Sequence, residues 1–293
     1  MSFFDEMCDV LSLEFVDANY GIGKSIEMGW GRLFGGQVLG QVIAMAQHEV
    51  VEHRLNSIHC HFLQTGNVTD PVHYRRHVLR EGRSYRFYRI EAYQQNQLIF
   101  HAVASLKTPE KGVNHQRTMP DVPKPDKLPS YRESLRKMIA NLPEAQKARV
   151  AKRWIERVNQ EPPVFIRPIS PQIFLLPDSK KPERLMWFSA SQDLSSDPVV
   201  HQQVLAWTSD IPILGTALQP SGIPPVSPQI KTTSLDHTIW FYDDFSVNDW
   251  LLMHCYSPVS GDGRGITFAD IYREDGTLVA CCSQEGMLRL RQH

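Results

Sequence analysis

An acid, a hydroxyl and an amide stand at three separated places in the second half of this 293-residue chain: Asp210, Ser234 and Gln284. Asp210 ends the run Val204-Leu205-Ala206-Trp207-Thr208-Ser209, and a carboxylate at the end of an apolar helix is expensive to bury unless polar groups meet it. Ser234 lies in Thr232-Thr233-Ser234-Leu235-Asp236-His237, and Gln284 interrupts a strand pattern that is otherwise apolar. Converging on one water, the three suit general-base hydrolysis: the carboxylate takes a proton while hydroxyl and amide aim the oxygen. A nucleophilic Asp or Ser is compatible with the same residue types, and sequence alone does not choose. Alternation along a strand puts Ser234 and Asp236 on one face and His237 on the other. Adjacent residues that point apart argue against Asp236-His237 as the acid–base pair of a hydratase or dehydratase.

The elements that must position these groups repeat. Gln37-Val38-Leu39 recurs as Gln203-Val204-Leu205 (203 − 37 = 166), and His59-Cys60-His61-Phe62-Leu63 as His237-Thr238-Ile239-Trp240-Phe241 (237 − 59 = 178). Gly82-Arg83 recurs as Gly263-Arg264 (263 − 82 = 181) and Leu98-Ile99 as Leu278-Val279 (278 − 98 = 180). The offset grows once and then holds, as one loop insertion in the second of two copies requires. On these offsets Asp210 answers to Ala44 (210 − 166 = 44) and Gln284 to Ala104 (284 − 180 = 104). The second copy is therefore where chemistry is expected, with the inserted loop Ile211–Pro228 shaping the site.

Periodicity predicts a helix over 36–50 and strands over 57–63, 72–79, 85–93 and 98–106. A proline-rich connection follows, then a helix over 130–159 and strands over 164–176 and 185–188. Asp197-Pro198 opens a second long helix running to about residue 210, with strands after the loop over 231–242, 250–257, 267–273 and 278–290. This is an α+β chain: residues 1–107 as a first unit, 108–162 as a linker with a helix, and 163–293 as a second unit carrying the polar trio.

Composition excludes several classes. Hydrophobic residues at 42% supply a core, and a net charge of −1 argues against nucleic-acid or anionic-membrane binding. Tyr74-Arg75-Arg76-His77 sits in an alternating pattern and reads as a solvated strand face. Five irregularly spaced cysteines point to reduced thiols and a cytoplasmic setting. The acidic start lacks the features of a signal peptide, no window has the apolar length to cross a bilayer, and the ending is not a peroxisomal address. Gly-x-Ser-x-Gly, phosphate-cradling loops and zinc spacings are absent. His59-x-His61 alone does not fill a tetrahedral site and reads as packing or hydrogen bonding.

Phe34-Gly35-Gly36-Gln37-Val38-Leu39-Gly40-Gln41 and Ser57-Ile58-His59-Cys60-His61-Phe62-Leu63 resemble the N-terminal hallmarks of the acyl-CoA thioesterase II family. So do His115-Gln116-Arg117-Thr118-Met119-Pro120, Ala206-Trp207-Thr208-Ser209-Asp210, Leu235-Asp236-His237-Thr238-Ile239-Trp240-Phe241 and Gln284-Glu285-Gly286-Met287-Leu288-Arg289. The resemblance spans nearly the whole chain in order. It implies a double hotdog fold, two repeats each with a long helix packed on an antiparallel sheet, the sheets joined. It implies hydrolysis of fatty acyl-CoA to free acid and CoA without metal or organic cofactor. The family's catalytic trio maps onto Asp210 as general base, with Ser234 and Gln284 positioning water. Gly36, Gln37, His59, Asp236 and His237 are expected at the substrate, the Gly36 amide polarising the thioester carbonyl. A homo-oligomer, dimer or tetramer, is expected, with acyl-CoA as the small-molecule partner. An acyl-CoA binder without turnover is the competing reading, and the intact trio argues against it. The family's usual Tyr-Phe-Leu-Arg-Pro-Gly reads His61-Phe62-Leu63-Gln64-Thr65-Gly66 here, and a family histidine is replaced by Asn56. Both departures are expected to lie away from the trio and to bear on substrate preference.

Overall fold

The computed structural model describes residues 1–29, 31–141, 152–170, 181–223 and 227–291. The chain begins with α1 (Phe3–Leu11), capped reciprocally: the Asp5 N–H donates to Ser2 Oγ at 3.1 Å and the Ser2 N–H to Asp5 Oδ2 at 2.9 Å. Phe3, Phe4, Met7, Val10 and Leu11 make its buried stripe. Neither α1 nor the hairpin β1 (Leu13–Asp17) and β2 (Tyr20–Gly23) is among the expected elements. The Ser-x-x-Asp pattern ahead of an apolar stripe is the signal that marks such a helix.

The first repeat continues with α2 (Gly35–Gln47), β3 (Arg54–Phe62), β4 (Val72–Glu81), β5 (Tyr85–Gln94) and β6 (Gln97–Lys107). In the connection, α3 (Tyr131–Asn141) and α4 (Lys152–Asn159) occupy the two ends of the expected helix; Leu142, Ala148 and Val150 between them lie outside the described residues. The second repeat comprises β7 (Val164–Pro168), β8 (Glu183–Ala190), α5 (Pro198–Ser209), α6 (Ile213–Leu218), β9 (Ile230–Ser234), β10 (Asp236–Phe241), β11 (Leu251–Gly261), β12 (Arg264–Arg273) and β13 (Leu278–Leu290). Residues 171–176 of the expected first strand, and Pro224 and Pro225 of the inserted loop, lie outside the described residues.

Two expectations are corrected. The insertion after Asp210 is not a bare loop but folds into α6 and a 3₁₀ turn at Gln219–Ser221. The single strand expected over 231–242 divides at Leu235. There the register against β13 slips by one residue, from Ser234↔Gly286 to Thr238↔Ser283.

Among the described residues, all strands join one antiparallel sheet in the order β1-β2-β4-β5-β6-β3-β10-β13-β12-β11-β8-β7, with β9 added alongside β13. The halves β1-β2-β4-β5-β6-β3 and β7-β8-β11-β12-β13-β10 mirror one another and meet where β3 pairs β10, as at Ile58↔Ile239. This is the double hotdog: one sheet shared by two repeats, with α2 and α5 inside it. Both helices are buried round most of their circumference, as enclosure on every side demands.

The two helices touch through glycine. A Cβ on Gly36 would lie 2.5 Å from the Trp207 carbonyl oxygen, and one on Gly40 would lie 3.3 Å from that of Gln203. The helices therefore run antiparallel, and the start of α2 abuts the end of α5. Gln203 Nε2 donates to the Gly40 carbonyl at 3.1 Å and to that of Leu11 at 2.7 Å, while Phe34 meets Trp207 edge-on at 4.8 Å between centroids. On the outer sheet face the proline-rich connection is pinned down. Arg117 Nη1 donates to the buried Asp270 carboxylate at 2.7 Å, and Gln116 bonds the Gly276 carbonyl and the Leu278 N–H.

Alanine at position 36 should destabilise despite alanine's better helix propensity. The methyl meets backbone rather than a flexible side chain, and overpacking of this kind costs about 1–3 kcal/mol against a propensity gain of at most about 1 kcal/mol. Urea denaturation of Gly36→Ala should show a lower midpoint with an unchanged slope.

Candidate active site

The end of α5 carries Asp210 to the first turn of α2. Asp210 Oδ2 accepts the Gly36 N–H at 3.0 Å, across the two repeats. On its other oxygen, Oδ1, Gln284 Nε2 donates at 2.7 Å and Ser234 Oγ at 3.5 Å, and Gln284 Nε2 also reaches Ser234 Oγ at 2.9 Å. Sequence reasoning and structure thus bring the same three side chains together. Burial pushes the Asp210 carboxyl above the usual carboxylate range, while the bonds from Gln284, Gly36 and Ser234 and the charge of Arg32 pull it back. A carboxylate whose proton affinity is raised by burial is suited to take and return a proton.

Gln284 sits behind this contact. It is 1% exposed, stands opposite Thr267 in the β12–β13 pair, and its Oε1 has no hydrogen-bond partner among the described residues. Its amide holds Asp210 and Ser234 at their separation rather than facing the cleft.

The cleft beside them has a volume of about 640 Å³. Phe34, Val38, Phe62, Phe100, Ile211 and Leu214 give it an apolar wall, and Asp210, Ser234, Thr232 and Arg32 a polar one. That volume and division fit a small-molecule site with an apolar body and few polar contacts. Leu214 of α6 packs on Gly286, where a larger side chain would collide with it. The segment Phe62-Leu63-Gln64-Thr65-Gly66 also lines the cleft. The sequence departures there are therefore not remote from the trio, because β3 of the first repeat ends at the site of the second.

Four of the five residues expected at the substrate stand elsewhere, and the fifth is occupied. The Gly36 N–H donates to Asp210, so it is not free for a thioester carbonyl. Gln37 is fully buried, accepting from the Ile26 N–H at 3.0 Å and donating to the Lys24 carbonyl at 2.9 Å; it anchors the segment ahead of α2. His59 is exposed on the outer sheet face, edge-on to Trp240. The register slip at Leu235 reverses the expected alternation. Asp236 pairs with exposed His61 on the outer face and accepts the Glu285 N–H at 2.7 Å, whereas His237 turns inward beside Gln284. His237 is fully buried with its Nε2 3.1 Å from Ser209 Oγ, and burial lowers its pKa to about 3. It is a neutral core group that ties α5 to β10.

The first repeat supplies more of the site than the comparison of copies indicates: Arg32, Gly35, Phe62 and Gln64 all reach the cleft. Gly35-Gly36 is the signal that points there, since Gly35 lacks the Cβ that would stand 2.7 Å from Asp210 Oδ2.

Comparison with known proteins agrees with this architecture. A family model for the acyl-CoA thioesterase N-terminal domain matches residues 26–107, and one for the acyl-CoA thioesterase C-terminal domain matches residues 125–288. The chain is 32% identical over 289 residues to acyl-CoA thioesterase 2 of Haemophilus influenzae, covering 98% of each chain. It is 33% identical over 292 residues to acyl-coenzyme A thioesterase 8 of Homo sapiens, covering 96% of this chain and 88% of that one. A solved structure of an acyl-CoA thioesterase II from Mycobacterium marinum matches with a TM-score of 0.76 at 29% identity, covering 98% of this chain and 99% of the other. With both domain models matched in order and relatives aligned almost end to end, the chain belongs to the acyl-CoA thioesterase II family.

Proposed function

We propose that this protein hydrolyses fatty acyl-CoA to free fatty acid and CoA, with Asp210 as general base. The observation that carries the reading is the contact of Asp210 with Ser234 and Gln284 at the polar side of an apolar cleft. The acyl chain lies along the apolar wall, and the thioester carbon stands beside Ser234. Asp210 Oδ1 takes a proton from water held between it and Ser234 Oγ, and that water oxygen bonds to the carbonyl carbon. The tetrahedral intermediate then breaks its C–S bond, and Asp210 returns the proton to the departing thiolate. The positive end of the α2 dipole steadies negative charge at this end of the cleft. Gln284 is a positioning residue that acts through the other two.

The geometry favours this over the alternatives. Among the described residues Ser234 has no histidine hydrogen-bonded to it that would activate it as a nucleophile, and His237 is engaged with Ser209. Hydration would need an acid–base pair in the cleft, and Asp236 and His237 lie on opposite sheet faces. The reading extends to a cytoplasmic homo-oligomer, dimer or tetramer. The free thiols of Cys8, Cys60, Cys255, Cys281 and Cys282 suit a reducing compartment.

Thiol release from palmitoyl-CoA tests the reaction. Asp210→Asn should lower kcat by about 10²–10⁴-fold, the usual contribution of a general base; unchanged release would refute the mechanism. That variant should remain folded. The Asp210 pKa is raised in the folded protein, so its charge costs stability once pH exceeds that value, and the penalty fades as pH falls toward the ordinary carboxylate range. Thermal melts should therefore show Asp210→Asn equal to or above the parent at neutral pH, with the difference shrinking in acid. Gln284→Ala removes the strongest bond holding the carboxylate form. The acid limb of its kcat/KM profile should move to higher pH, and an unmoved limb would separate Gln284 from the base.

A further inference from the structure

The outer end of β9 carries a charge arrangement that the reaction above does not use. Lys231 and Arg289 stand directly opposite each other in the β9–β13 pair. Like charges placed this way repel. Arg291 shares their face two residues on, and its N–H donates to the Gln229 carbonyl at 2.9 Å, so it stays within the ribbon. All three side chains are exposed, and among the described residues none forms an ion pair. The nearby acids, Asp262 on the β11–β12 turn and Glu285 on β13, are held by Arg264. The β12 pairing begins at Arg264↔Met287 and the Leu288 N–H donates to the Gly263 carbonyl at 2.7 Å; beyond that, among the described residues, this end of β13 has only β9 beside it and projects as a two-stranded ribbon. In a chain with a net charge of −1, such a concentration of cations is local.

The ribbon leads out of the cleft past the open edge of β9, where Lys231 and Arg289 point to the face opposite Ser234 and Thr232. Leu235, Ser234, Thr233 and Thr232 line the cleft in succession, and Lys231 is the next residue outward. Three residues at roughly 3.3 Å each put the Lys231 backbone about 10 Å from Ser234, before its side chain is counted. Arg32 bridges the gap: it lines the cleft and its Nη1 donates to the Thr232 carbonyl at 3.3 Å. Arg32 also forms no ion pair among the described residues. A CoA thioester has matching dimensions, with an uncharged pantetheine arm separating the thioester from a diphosphate and a 3′-phosphate.

We propose that Arg32, Lys231, Arg289 and Arg291 bind the phosphate groups of the CoA moiety, so that the substrate enters along β9 with its acyl chain leading. The inference rests on the thioesterase reading for its choice of ligand. The phosphates offset the mutual repulsion of Lys231, Arg289 and Arg291 through charge-assisted hydrogen bonds. Positive potential at the mouth also draws the polyanionic substrate toward Asp210.

The test is the double variant Lys231→Glu/Arg289→Glu, whose exposed sites leave the core intact, as a melt will show. Its KM for lauroyl-CoA should rise about tenfold or more, the scale of one lost charge-assisted bond, with kcat held. The loss should be confined to substrates with phosphates: hydrolysis of S-lauroyl-N-acetylcysteamine should keep its parent KM. Calorimetric binding of adenosine 3′,5′-bisphosphate should weaken in parallel and, in the parent, should weaken with added salt. An unchanged KM for lauroyl-CoA, or equal losses with both thioesters, would overturn the proposal. So would parental bisphosphate affinity in the variant, or cation-dependent binding to anionic vesicles without any bisphosphate binding. A parent protein that binds the bisphosphate but releases no thiol would sink the hydrolytic reading alone.

Discussion

The close approach of α2 and α5 is the constraint from which the rest follows. A carboxylate at the C-terminal end of a helix meets the negative pole of that helix, and Asp210 is both at such an end and largely enclosed. What holds it there is the N-terminus of the other repeat's helix, whose Gly36 N–H it accepts. No side chain of α2's own caps that N-terminus. Two unfavourable ends thus satisfy each other, and the helices can come this near only because Gly35 and Gly36 carry no Cβ. Core packing and site electrostatics are set by one contact.

Shared enclosure explains why the site is asymmetric while the fold is not. Both repeats place a helix within the same curved sheet, and both last strands turn a buried residue inward at matching positions, Ala104 and Gln284. An amide at one of them is tolerable because Asp210 and Ser234 accept its N–H groups. The insertion after Asp210 then covers that side: α6 lays Leu214 on Gly286 and completes the cleft wall with Ile211 and Leu218. Its counterpart in the first repeat has neither the polar trio nor the covering helix.

Much of this was legible residue by residue. Alternation and turn signals mark strands β3 to β6 and β11 to β13, whose ends agree with the expected ranges to within a few residues. The Asp197 cap with Pro198 marks the start of α5. Comparing the repeats singles out Asp210 and Gln284 with no knowledge of where they lie. The misplacing of Asp236 and His237 has one cause, the single-residue slip at Leu235. A period of two carries no memory of a bulge, so alternation alone puts Asp236 and His237 each on the face the other occupies.

By itself, the sequence determined two copies of a helix-and-meander unit, the polar residues confined to the second, and the family to which they belong. These are properties of order and type, and they survive without coordinates. Only the tertiary structure decided that the cleft is built by both repeats, that Gly36 serves the carboxylate rather than the substrate, and that Gln284 acts from behind. Those outcomes depend on contacts 74 and 174 residues apart along the chain, where ångström separations between buried groups, not local preference, fix which donor meets which acceptor.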